Sequence, residues 1–137
     1  MTQAAARAPP GQMGAHVAQR KIDPHTGRAA VQAWMGDETV DRQTLATAVR
    51  FTLQELALQA PGRSVEVRVP PYGAVQVIEG LTHRRGTPPN VVELQADSWL
   101  RLVVGDATWG QAEAAGWVSA SGSRADLSAY LPLMRRA

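Results

Sequence analysis

From Ser64 to Val69 the chain alternates strictly, placing Val65, Val67 and Val69 on one side and Ser64, Glu66 and Arg68 on the other. Successive side chains of a strand point to opposite faces, so this pattern describes a strand with one face in a core and one in water. Pro70-Pro71-Tyr72-Gly73 is turn chemistry, with Pro71 suited to the first central position. Ala74 to Glu79 then alternates again, with Val75 and Val77 opposed to Gln76, and the two segments are predicted to pair as a hairpin. The valine face of that hairpin needs cover, and the flanking sequence offers helices.

The spacing of Leu45, Val49, Leu53 and Leu56 predicts a helix over 41–60, closed by Pro61-Gly62. Upstream, Asp23 is a candidate cap with Pro24 at the first helical position, where a missing N–H costs nothing. A short helix follows with Ala30, Val31, Trp34 and Met35 on one face, and Gly36 is placed to end it in the left-handed conformation. Residues 21–40 are thus a short helix and linker. Residues 1–20, rich in Ala, Gln, Gly and Pro without apolar periodicity, read as a disordered tail.

Downstream of Glu79 a Pro- and Arg-rich loop leads to a third strand, Asn90 to Gln95, with Val92 and Leu94 on one face. Asp97 is a plausible cap for a helix that ends at Gly105, and Thr108 with Gln111 fits a capping box opening a second helix that runs to Ala115. Gly116 stops it, Trp117 to Ala120 reads as a fourth strand, and Ser123 with Asp126 is placed to cap a last helix through Leu127, Leu131 and Met134. Asp97, Asp106 and Asp126 all stand where helix caps are wanted.

Composition narrows the function classes. The chain is 137 residues, about one domain, 45% hydrophobic with a single Phe and four Trp, so its core is mainly aliphatic. The net charge of +2 and the scatter of Arg along strands and helices argue against nucleic acid. The absence of Cys removes disulfides, thiolate chemistry and sulfur-ligated zinc. No signal-peptide core and no spanning-length apolar run is visible, so a cytoplasmic protein without stable membrane anchoring is expected. His16, His25 and His83 stand apart, with no H-x-x-x-H pair and no G-x-S-x-G. Neither a cofactor nor catalysis is expected.

The stretch ADSWLRLVVGDATWGQAEAAGWVSASGSRADLSAYLPLM, preceded by VRFTLQELALQAPGRSVEVRVPPYGAVQVIEG and RRGTPPNVVE, resembles the sterol carrier protein family over about 41–137, and within it the short actinobacterial members. That resemblance implies an α/β (α+β) fold with a four- to five-stranded, mostly antiparallel sheet covered by helices. It also implies an apolar cavity between sheet and helices that takes fatty acyl chains, acyl-CoA or sterols. The chain departs from the family between Glu79 and Asn90, where the family usually has a strand.

The candidate lining is Val75, Val77, Val92 and Leu94 from the sheet, with Leu102, Val103, Trp117, Leu131 and Met134 from the covering elements. Arg84 and Arg85, next to His83, are candidates for an anionic headgroup, because guanidinium binds carboxylate or phosphate through paired hydrogen bonds. A chain of roughly sixteen methylenes at about 0.8 kcal/mol each yields about 13 kcal/mol gross. Association costs about 4 to 15 kcal/mol, so useful affinity needs a preformed space. Periodicity locates a buried face without saying whether that face encloses a void. The alternative is therefore a filled core in an accessory module for a separate partner enzyme, as similar domains stand beside a helical domain in mycothiol-dependent isomerase-like proteins.

Overall fold

The structure, a computed structural model, describes residues 21–80, 90–123 and 125–134. The expected tail at 1–20 and most of the loop between Glu79 and Asn90 lie outside the described residues. In chain order the elements are α1 (Pro24–Gly36), α2 (Arg42–Gln59), β1 (Val65–Val69), β2 (Gly73–Val77), β3 (Asn90–Glu93), α3 (Ala96–Val104), α4 (Trp109–Ala114) and β4 (Ser119–Ser121), with a 3-10 turn at Ser128–Tyr130.

The four strands form one mixed sheet in the order β2-β1-β3-β4. β1 and β2 pair antiparallel, Val65 opposite Val77 and Val67 opposite Val75. β3 lies parallel to β1 on its other side, with Val92 beside Val67, and β4 runs antiparallel to β3. Two of the three pairings are antiparallel, within an α+β fold. Val65, Val67, Val69, Val77 and Val92 are buried on the helical side, while Arg68, Ala74 and Glu93 on the opposite face are exposed. The alternation along the strands thus separates core from water as a one-sided sheet requires.

In the hairpin turn the Tyr72 N–H donates to the Val69 carbonyl, so Pro70 and Pro71 are the two central residues, joined by a cis peptide bond. Pro71 therefore takes the second central position, the place of a cis-proline in a type VI turn, and not the first.

α1 and α2 open on Asp23 and Asp41, whose carboxylates accept the N–H groups of Thr26 and Thr44. α1 continues through Gly36 and stops at Asp37, whose backbone is extended at φ −156°, so no left-handed glycine ends it. The stop comes from Asp37 itself: its carboxylate accepts both the N–H and the hydroxyl of Thr39 and turns the chain toward α2. α3 closes on Gly105 at φ +84°, a conformation that suits a residue without Cβ. α4 opens with the reciprocal Thr108–Gln111 capping box.

Two further elements depart from the sequence pattern. Asp97 does not cap α3: the cap position is Gln95, and Asp97 is the second residue of the helix, with its carboxylate bound to the Trp34 indole. The last helix does not form among the described residues. Asp126 accepts the Ser128 N–H two residues on, and the chain makes only the 3-10 turn before Leu131. Pro132 supplies the reason, since a residue before proline is pushed out of the α region and Leu131 is extended at φ −110°, ψ 146°.

One core gathers residues from every layer, including Val31 and Trp34 of α1, Phe51 and Leu56 of α2, Val67 and Val92 of the sheet, and Trp99 and Leu102 of α3. Two indoles within it are satisfied by other elements. Trp34 Nε1 donates to Asp97 Oδ1 at 3.0 Å, and Trp99 Nε1 donates to Thr52 Oγ1 at 2.8 Å.

Candidate functional site

The residues expected to line a ligand space separate into three groups. Val77, Val92, Leu94, Leu102 and Val103 are at most 2% exposed and belong to the shared core. Val75, Trp117 and Met134 are half-buried and pack against its margin. Leu131, also half-buried, lines a cavity of about 390 Å³. Arg84 and Arg85 lie outside the described residues.

That cavity is built where α3 hands over to α4 and the C-terminal segment crosses them. Gly105, Ala107 and Thr108 come from the link, Trp109 and Gly110 from the first turn of α4, and Ser128, Leu131 and Pro132 from the end of the chain. Local chemistry fixes each wall. The left-handed Gly105 turns the chain out of α3, and the closed capping box at Thr108 starts α4 in a set direction. The Met134 N–H donates to the Val103 carbonyl at 3.0 Å and fastens the C-terminal segment against α3.

None of the described lining side chains carries a charge. Ala107, Leu131, Pro132 and the Trp109 ring supply apolar surface, and the hydroxyls of Thr108 and Ser128 supply uncharged polarity. The Thr108 hydroxyl already accepts the Gln111 N–H at 3.1 Å. Trp109 is 6% exposed, and no acceptor among the described residues reaches its Nε1. A wall of this kind can hold an uncharged molecule with a largely apolar body. Among the described residues it contains no nucleophile–base pair, and no three of His, Cys, Asp and Glu gather where a metal ion would need them.

The ionic features lie elsewhere. Arg101 pairs with Glu38 and stands 6.0 Å from the centroid of the Trp34 ring. The Thr39 hydroxyl, then its N–H, holds the Asp37 carboxyl below the ordinary carboxylate range, and the Thr44 N–H does the same for Asp41. No described helix is long and apolar enough to cross a membrane.

The sequence pattern had shown Trp109 only as the residue after a cap. The available signal was chemical: an indole in the first turn of a short helix brings an N–H that must find a partner once buried. Ala107 and Pro132 carry no such signal, because they reach the cavity through turns whose course is set by contacts far along the chain.

The family model described as "bacterial SCP ortholog" matches residues 41–133. The chain belongs to the sterol carrier protein family. The matched segment of this sterol carrier protein relative contains the whole sheet, α2 to α4 and every described wall of the cavity, whereas α1 precedes it. No curated protein matches the sequence.

Proposed function

We propose that this sterol carrier protein family member binds and carries an apolar, lipid-like molecule, such as a fatty acyl chain, an acyl-CoA or a sterol, without catalysing its conversion. The observation that carries the reading is the cavity of about 390 Å³, inside the family segment, whose described walls are uncharged. Its volume lies toward the lower end of the range of ligand pockets, about 300–1,000 Å³. The protein works in this reading as a cytoplasmic carrier or sensor, with no cofactor, no nucleic-acid partner and no stable membrane anchor.

The test has two arms. Protein purified from its host, denatured and extracted with organic solvent, is expected to release a lipid visible by mass spectrometry. Refolded protein is then titrated with palmitate, palmitoyl-CoA and cholesterol while tryptophan fluorescence is followed, and saturable binding of one class is expected. An empty extract together with a flat response to all three refutes carriage.

A second reading, an accessory module that supports a separate enzyme, is favoured by the burial of Val77, Val92, Leu94, Leu102 and Val103 in one packed core. Co-purification of a single enzyme in fixed stoichiometry, with no lipid in the extract, would decide for it.

A further inference from the structure

Leu127 is fully buried, but every residue from Ser128 to Met134 is exposed or half-buried. Within that stretch the Tyr130 N–H donates to the Leu127 carbonyl at 2.9 Å and the Ser128 N–H to the Asp126 carboxylate at 2.8 Å, both local bonds. The Met134 N–H then donates at 3.0 Å to the carbonyl of Val103, one of the last in α3 and so without a partner inside the helix. The segment is rooted in the core at Leu127 and pinned to α3 at Met134. Between these points Ser128, Leu131 and Pro132 form one wall of the cavity. The facing wall differs in kind: Trp109 and Ala112 of α4 are buried, and Gly105 and the Thr108–Gln111 capping box set the link that leads to them. A segment with little buried surface opens at a lower free energy than the core beneath it. One wall is fixed and the other is free to swing.

We propose that residues 128–134 are a strap that gates this cavity: it lifts from Gly105 and α3 with Leu127 as its hinge, lets the ligand pass, and closes when the Met134 N–H returns to the Val103 carbonyl. This rests on the reading that the domain binds an apolar molecule in this cavity, and it adds the route by which that molecule exchanges. At the moving edge Pro132 lies over Gly105, where a Cβ built on the glycine would stand 3.5 Å from the Pro132 Cβ. Van der Waals contact of this kind is weak pair by pair, so the Met134–Val103 hydrogen bond is the latch.

The same separation of 3.5 Å falls within the Cβ spacing of a disulfide, about 3.5–4.5 Å, and the chain has no cysteine of its own. In the full-length Gly105→Cys, Pro132→Cys double variant the strap is locked by oxidation and freed by reduction in one and the same protein. The left-handed backbone at Gly105 strains a cysteine in both forms, so that strain cancels in the comparison. Palmitate, palmitoyl-CoA and cholesterol are each mixed with the two forms in a stopped-flow instrument while tryptophan fluorescence is followed. The oxidised form is expected to take up and release the ligand about tenfold more slowly than the reduced form. Kd should move far less than either rate, because a gate acts on both directions alike. Equal rates in the two forms overturn the gate and leave carriage standing, and so does a change in Kd without a common slowing.

Met134→Pro acts in the opposite sense and does not depend on the engineered pair. Proline has no N–H, so the latch is lost and exchange is expected to quicken by roughly threefold to tenfold, the scale of one net hydrogen bond. Should the cysteines not pair, unchanged exchange in this variant overturns the gate by itself. Hydrogen exchange of the unaltered chain, read by mass spectrometry, needs no substitution: amides of 128–134 are expected to exchange sooner than those of α3 and to slow when ligand is added. Amides as protected as those of α3 before any ligand is added also overturn it. An unaltered chain that binds none of the three ligands removes carriage and gate together.

Discussion

The Trp34 indole donates a 3.0 Å hydrogen bond to Asp97 across 63 positions of sequence, tying α1 to the first turn of α3. The Trp34 side chain is fully buried and Asp97 is exposed, so the bond joins an interior donor to a carboxylate that water also reaches. Asp97→Ala strands the indole proton and is expected to cost about 1–3 kcal/mol, whereas Asp97→Asn keeps an acceptor and should cost much less. Urea unfolding of the two variants at neutral pH measures the difference; equal losses would show that the bond contributes nothing specific.

The aromatic ring of Phe51 occupies the space in which Gly27 would need a Cβ, whose nearest ring atom would be 2.2 Å away. Both residues are buried, so there is little room for the ring to yield. Gly27→Ala is therefore expected to destabilise the protein by about 1–3 kcal/mol despite the better helix propensity of alanine. Combining it with Phe51→Leu should recover part of that loss relative to the sum of the single changes. A double-mutant cycle in urea gives the coupling, and additive energies would contradict the packing described.

Thr52 joins α2 to α3 through a buried hydroxyl. It accepts the Trp99 indole N–H at 2.8 Å while facing the carbonyls of Ala48 and Val49 at 2.8 and 2.9 Å. Thr52→Val is nearly isosteric, yet it leaves the Trp99 donor unpaired and is expected to cost about 1–3 kcal/mol. Thr52→Ser retains the oxygen and loses only a methyl group, about 0.8 kcal/mol of burial. The order of the two variants in denaturant midpoint checks the assignment.

Acid tests the junction between α1 and α2. Asp37 and Asp41 are both held below the ordinary carboxylate range by bonds from Thr39 and Thr44. A depressed folded-state pKa contributes stability that is present above the unfolded value, about 3.9, and lost as pH falls through the folded value. The stability gap between wild type and the Asp37→Ala, Asp41→Ala double variant should therefore be constant above about pH 5 and shrink progressively below pH 4. Thermal melts from pH 7 to pH 2.5 follow it, and a gap that widens in acid would reverse the sign argued here.

Much of this architecture was legible because its signals are local. The valines of β1 and β2 announced the hairpin through period two, the leucines of α2 through helical spacing, and Thr108 with Gln111 through reciprocal capping. Partners distant in sequence were not legible. Nothing in the Asn90–Glu93 segment states that it runs parallel to β1, and nothing around Asp97 states that its carboxylate serves an indole 63 positions earlier. At the C-terminus two local signals competed: Ser123 and Asp126 suggested a helix start, and Pro132 prevailed. Among the candidate lining residues, apolar spacing located the buried face, but Leu131 meets the described cavity through a turn that spacing does not encode.

α1 lies ahead of the segment that this chain shares with its family, yet Gly27 seats the Phe51 ring and Trp34 reaches into the centre of the protein. What is inherited in common and what must stay together to remain folded are therefore different lengths of chain. A fusion that borrowed only residues 41–133 would receive an aromatic ring stripped of its seat, and the recipient would have to furnish a helix of its own to cover it.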